Sequence, residues 1–289
     1  MNTRTRAIAL IAVLVLTATG ACSSQASQAP ASAAPTVLTV GTAVTAPFEF
    51  YNSSQQLVGF DIDLMNEIGS MLHRKVTYQV GQFSALVPDL QAHKVNAVIA
   101  AMYITPAREK VVSFATPYLQ TGLVMVERPG LNIHSAADLK GLKVGVKSGS
   151  TGQAYLTNNQ TGAQAVVYTD TLSSFHDLIA GRVDVVLNDY LNTLAFLKDT
   201  KSNVMIVGGN QTPIYLQHNQ LGIAVSKDET SLLSDINGAL ATLQANGFIK
   251  SDFAKWLGTI SGASAAPASA APASAAPASA APASASAAP

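Results

Sequence analysis

The sequence predicts an α/β protein of two lobes with a ligand cleft between them. Three observations lead there. Apolar strand-like runs alternate with amphipathic segments in two successive β-α-β-α-β-α rhythms, the second complete by about Val207. A further strand, Gly122 to Val126, stands between the two sets. The carboxyl ends of the strands, where open α/β sheets hold ligands, carry Tyr103, Thr105 and Arg108 in one lobe and Lys147, Ser150, Thr151, Asn188 and Asp189 in the other.

Taken in order, Val37 to Val40 alternates into Gly41-Thr42 as a first strand. Phe48-Glu49-Phe50-Tyr51 and a polar turn, Asn52 to Gln56, follow. Leu57-Val58-Gly59-Phe60-Asp61 opens a helix that buries Ile62, Leu64, Met65, Ile68, Met71 and Leu72. Val76, Tyr78 and Val80 alternate as a strand, and Phe83, Leu86, Val87 and Leu90 make a short helix. The run from Val95 to Met102 reads as a strand buried on both faces. Thr105-Pro106 then supplies an N-cap and a first helical residue.

In the second half, Ser135-Ala136-Ala137-Asp138 is a capping box opening a short helix. Leu142 to Val146 is a strand running into Lys147-Ser148-Gly149-Ser150-Thr151-Gly152 and a helix. Val166-Val167 is a strand; Leu172, Phe175, Leu178 and Ile179 form a helix; Val183 to Leu187 is a strand closed by Asn188-Asp189, with Tyr190 to Lys198 helical. Leu221 to Val225 is one more strand, and Leu232 to Leu243 and Phe248 to Trp256 are terminal helices.

Both ends of the 289-residue chain read as something other than fold. Residues 1–21 have Arg4 and Arg6, an apolar run from Ala7 to Leu16 and then small residues, the layout of a secretory signal peptide. Thr19-Gly20-Ala21-Cys22 resembles a bacterial lipoprotein cleavage site, with Thr19 where Leu is usual. Cys22, the chain's single cysteine, would carry the lipid; the alternative is a secretory leader with an incidental thiol. Residues 22–35 and 259–289 are rich in Ala, Ser and Pro, with Ala-Ser-Ala-Ala-Pro repeated, and read as disordered spacers. Of 17 basic residues, Arg4 and Arg6 lie in the leader, leaving 15 against 17 acidic residues, net −2. That near-neutral balance, without a basic run, argues against nucleic acid as a partner.

The candidate chemistry is charge recognition. Arginine is disfavoured at a helix start by the macrodipole, so Arg108 directly after Thr105-Pro106 asks for another reason, and a bound carboxylate is one; a solvated surface arginine is the other. Residues 147–152 could present backbone N–H groups to an anion, although no Gly-Lys-Ser/Thr closes the loop as in a P-loop. Asp189 reads equally as a helix N-cap and as a ligand carboxylate. The histidines, His73, His93, His134, His176 and His218, show no metal-ligand spacing, so neither metal nor cofactor is expected. Ser174-Phe175-His176-Asp177 has triad residue types, but helical neighbours point different ways and no Gly-x-Ser-x-Gly elbow exists. No catalytic residue is assigned. An arginine, an anion-binding loop and an aspartate at the strand ends of two lobes would together hold a zwitterion.

These residues resemble the polar amino-acid-binding family of ABC-transporter substrate-binding proteins, the bacterial extracellular solute-binding family 3. The matching stretches are Pro47-Phe48-Glu49-Phe50, Leu57 to Leu64, Phe83 to Leu90, Ile104 to Arg108, Asp138 to Val146, Gly181-Arg182-Val183-Asp184 and Lys255-Trp256-Leu257-Gly258. The resemblance implies a type II periplasmic-binding-protein-like flytrap. Lobe one would be residues 36–121 and 217–258, lobe two residues 122–216, with a hinge of two strands near Gly122–Val126 and Leu221–Val225. It further implies a monomer, lipid-anchored on the outer face of the cell membrane, that delivers an amino acid to ABC permease and ATPase subunits. Carried over by position, Arg108 clamps the ligand carboxylate with backbone N–H near Ser150 and Thr151. Asp189, beside Asn188, takes the α-ammonium, Phe83 lies against the side chain and Lys147 faces it.

The departures bear on the ligand. Relatives that bind cationic or amide side chains often have an Asp and then an aromatic after the first strand; Gly41 to Pro47 has neither and is one residue short. Tyr103 stands where Ser or Thr is usual and Ala101 where Gly is common, so Tyr103 is expected to fill space around Ala43–Ala46. Without that carboxylate a basic side chain would be left unpartnered, which favours a neutral polar or acidic ligand. Two rival readings share the scaffold. One is a lyase of prephenate/arogenate dehydratase type, with Glu49 as the nominated acid. The other is a receptor's sensor domain, disfavoured because nothing transmembrane follows Gly258.

Overall fold

The computed structural model describes residues 36–258. The expected leader, Cys22 and both Ala/Ser/Pro tracts lie outside the described residues.

The first sheet is built from β1 (Val37–Thr42), β4 (Lys75–Val80), β5 (Ala97–Val98), β6 (Ser113–Phe114) and β13 (Ala224–Val225), in the order β4-β1-β5-β13-β6. β1 runs parallel to β4 and β5, while β13 is antiparallel to β5 and β6. A small hairpin, β2 (Phe50–Tyr51) with β3 (Leu57–Val58), leads into α1 (Phe60–Met71). The short helices α2 (Leu86–Gln91) and α3 (Pro106–Glu109) and the terminal helices α7 (Thr230–Ala245) and α8 (Phe248–Trp256) complete this lobe. Its core includes Leu38, Val40, Phe48, Phe60, Leu64 and Ile68, all fully buried.

The second sheet comprises β7 (Leu119–Glu127), β8 (Lys143–Lys147), β9 (Gln164–Tyr168), β10 (Val185–Asp189), β11 (Met205–Ile206) and β12 (Tyr215–Leu221). Its order is β11-β7-β10-β8-β9, with β12 also paired to β7. β10, β8 and β9 are parallel, as the βαβ rhythm requires; β7 is antiparallel to β10, β11 and β12. The helices are α4 (Thr151–Asn158), α5 (Thr171–Ile179) and α6 (Tyr190–Asp199). The capping box at Ser135 and Asp138 forms, and opens a single 3-10 turn.

The chain passes between the sheets twice, from β6 into β7 and from β12 into β13. The two crossings are bonded together, Leu119 opposite Leu221 and Thr121 opposite Asn219. Two readings differ from expectation. Leu221 to Val225 is not one strand: β12 ends at Leu221 and β13 begins at Ala224, in the other sheet. The Val95–Met102 run is buried, but only Ala97 and Val98 pair as a strand. Ala101 breaks the extended run with φ of 45°, a left-handed conformation.

Candidate functional site

Local geometry brings the predicted residues to one place. At the end of the Val95–Met102 run, Gly222 N–H donates to Met102 O at 3.0 Å and Ile104 N–H to Gln220 O at 2.9 Å, pinning Tyr103 beside the end of β12. Thr105 then caps α3, its Oγ1 accepting from Arg108 N–H at 3.3 Å. In the other lobe, Ser150 caps α4 by accepting from Gln153 N–H at 3.2 Å. The first N–H groups of a helix have no intrahelical acceptor, and Thr151 and Gly152, the first two residues of α4, line the cavity.

The resulting cavity is lined by residues of both lobes, among them Phe83, Tyr103, Arg108, Lys147, Thr151 and Asp189. Its volume is about 50 Å³, room for only about two waters. It is small because side chains already bond across it. The Tyr103 hydroxyl donates to Asp189 Oδ2 at 2.7 Å. Arg108 Nη2 donates to Gly149 O at 3.1 Å, and Lys147 Nζ to Thr45 Oγ1 at 3.3 Å. Gly149 has φ of 71°, and a Cβ there would lie 2.8 Å from Ser84 Cα, so this close approach of the two lobes needs glycine.

Asp189 is the N-cap of α6 and also lines the cavity. Oδ1 accepts from Asn192 N–H at 3.0 Å and caps α6, while Oδ2 accepts from Tyr103 and from Thr121 Oγ1, each at 2.7 Å. Burial pushes its pKa up, opposed by these hydrogen bonds. Arg108 has its Nη1 on Tyr103 O at 2.8 Å; burial pulls its pKa down to about 10. With two of five N–H donors on carbonyls, the guanidinium retains capacity for a carboxylate. The Phe83 ring has Lys147 Nζ 4.2 Å and Arg108 Cζ 5.3 Å from its centroid. Burial pulls Lys147 down to about 8.

Some predicted residues sit otherwise than their roles suggested. The Ser150 N–H is already bonded to Lys147 O at 3.1 Å, and the Asn188 amide turns to Thr193 Oγ1 at 3.0 Å at the start of α6; both residues line the cavity. Tyr103 sends its hydroxyl to Asp189; within the Ala43–Ala46 segment whose space it was expected to fill, Thr45 meets Lys147 and Asn192 donates to Ala46 O. Thr45, Thr121 and Leu123 were missed. The signal for the last two was register: Leu123 lies opposite Asp189, and Thr121, two residues away, shares its face.

A larger groove of about 1140 Å³ lies beside α6, with Phe50, Phe196 and Trp256 in its walls. Its charged residues, Asp170, Lys198 and Asp199, all belong to the second lobe, so no charge of the first lobe opposes them there. Electrostatics, not size, selects the smaller cavity.

The comparisons agree with this architecture. The ABC transporter arginine-binding protein 1 of Escherichia coli (strain K12) is 34% identical over 210 residues, covering 73% of this chain and 86% of the relative. An ancestral arginine-binding protein bound to arginine superposes with a TM-score of 0.72 at 36% identity, covering 78% of this chain and all of that one. The structure described as an ancestral arginine-binding protein bound to glutamine gives 0.70 at 37%, covering 77% and 98%. With two α/β lobes in the type II periplasmic-binding-protein arrangement and a family match spanning residues 38–259, the chain belongs to the bacterial extracellular solute-binding proteins, family 3.

Proposed function

We propose that this protein is the extracytoplasmic binding component of an ABC importer and captures a free amino acid by closure of its lobes. The observation that carries the reading is the opposition of Arg108 and Asp189, a half-buried cation and a half-buried anion from different lobes on one small cavity. The α-carboxylate goes to the free guanidinium N–H groups of Arg108 and the N–H groups of Thr151 and Gly152. The α-ammonium goes to Asp189 Oδ2, displacing a hydroxyl donor. Since each lobe supplies part of this pairing, ligand favours the closed state by its differential affinity.

For the side chain we infer a neutral polar or acidic group. Lys147 lines the cavity, and Asp189, the only carboxylate in its wall among the described residues, is committed to the ammonium. A cationic side chain would meet Lys147 without a partner of its own. Arginine is the second reading, favoured by relatives named for it. The relatives named for function are binding proteins, which supports capture without turnover. Delivery to permease and ATPase subunits, export and anchoring through Cys22 complete the proposal; among the described residues no helix is long and apolar enough to cross a membrane. Calorimetric titration with the common amino acids tests it. Micromolar binding of a neutral polar or acidic amino acid, about −8 kcal/mol, is expected. Tight binding of arginine or lysine alone would overturn the side-chain inference, and binding of none would overturn the whole.

A further inference from the structure

Behind Thr45 lies a group of buried polar atoms that the binding scheme does not use. Glu49 and Asp61 are both fully buried. The backbone forces them together: Thr45 N–H donates to Glu49 O at 2.7 Å, and Phe60 and Asp61 N–H donate to Pro47 O and Phe48 O at 3.1 and 3.0 Å, tying the start of α1 to this segment. Asp61 Oδ2 accepts from Ala101 N–H at 2.7 Å and from the buried Tyr118 hydroxyl at 3.0 Å. Its Oδ1 and both Glu49 oxygens receive no donor among the described residues.

Three buried carboxyl oxygens without donors, on two adjacent side chains, are costly if both groups are ionised. Two acceptors become a hydrogen bond when one carries a proton, and that proton also removes the like-charge repulsion. We propose that Glu49 and Asp61 hold one proton between them, and that the single negative charge they keep is the counter-charge for Lys147 in the ligand cleft. Glu49 is the protonated member, since Asp61 already has two donors on its charge. Burial pushes both carboxyls up, and for Glu49 the neighbouring Asp61 charge adds to it.

The other groups around the pair fit this assignment. Thr42 and Tyr118 are neutral hydroxyls, and Tyr78 on β4 is held neutral by burial and by the nearby carboxylates. Asp189 is more distant and adds negative charge. Lys147 and Glu49 each act on the other's titration, which puts the single charge of the pair within electrostatic reach of the Lys147 ammonium. With Arg108 and Lys147 positive, and Asp189 and the pair negative, the cleft is neutral and accepts a zwitterion without a net buried charge. Glu49 and Asp61 are therefore positioning residues, acting through Lys147.

The pair is testable without any ligand, and so separately from the amino-acid reading on which its role rests. Infrared spectra of the unliganded protein at neutral pH should show a buried protonated-carboxyl band that is lost in both Glu49→Gln and Asp61→Asn. Each single amide keeps one hydrogen bond and one charge, so both variants should fold and leave the Lys147 Nζ titration, followed by nitrogen NMR, near its wild-type value. The double amide removes the charge and should lower that titration by about one to three pH units. No protonated-carboxyl band in the wild type, or an unmoved Lys147 titration in the folded double variant, would overturn the proposal.

Discussion

The Tyr103 hydroxyl and Asp189 Oδ2 meet at 2.7 Å across the cleft, and with Thr121 they fill both acceptor positions of that oxygen. An incoming ammonium must displace one of these donors. Tyr103→Phe removes the competitor and is expected to tighten amino-acid binding by up to about tenfold, about 1.4 kcal/mol, by calorimetry. Weaker binding would mean that the hydroxyl contacts the ligand.

Arg108→Ala removes the proposed carboxylate partner from a half-buried site. The expected loss is about 2–5 kcal/mol of binding free energy, at least about thirtyfold in Kd. Thermal unfolding should be almost unchanged, since the guanidinium bonds only two carbonyl oxygens. Unaltered affinity would rule out the clamp.

Ala101 holds φ of 45° while its N–H donates to Asp61 at 2.7 Å. An L-residue pays about 1–2 kcal/mol there, and the extra unfolded-state freedom of glycine returns about 0.4–1 kcal/mol. Ala101→Gly should raise Tm by about 1–3 °C, read by calorimetric scanning.

Stability should fall as pH rises from mildly acidic to neutral. Glu49 and Asp61 are pushed up by burial, and Asp252 rises from 3.8 to about 7, chiefly by burial and then by Asp63. A carboxyl with a raised folded-state pKa binds more protons folded than unfolded, so its contribution declines as pH climbs from the unfolded value through the folded one. Lys147 has the opposite sign above about 8, where its folded form has already lost its proton. Unfolding midpoints measured from pH 4.5 upward check this, and Glu49→Gln should flatten the decline.

The βαβ rhythm was legible because parallel strands covered on both faces show as apolar runs between amphipathic helices. Arg108, Lys147, Phe83, Tyr103 and Asp189 were legible because strand ends and helix starts place them at the cleft. The direction of Tyr103 was not, since it depends on Gln220 and Gly222, more than a hundred residues away. Thr45 and Thr121 were hidden for a related reason: each is an ordinary threonine until Lys147 or Asp189 arrives from another element. Glu49 drew notice only as the nominated acid of the lyase reading, and its burial beside Asp61 depends on the backbone bonds between Pro47–Phe48 and the start of α1.

The central claim is that both charged ends of a free amino acid are held, one by each lobe. Calorimetric titration of the full chain with whichever amino acid binds, beside its N-acetyl and its α-carboxamide derivatives, tests this most directly. The intact zwitterion should bind and each blocked form should lose at least about a hundredfold, about 2.7 kcal/mol. Comparable affinity for the N-acetyl derivative would contradict the role of Asp189, and comparable affinity for the carboxamide that of Arg108.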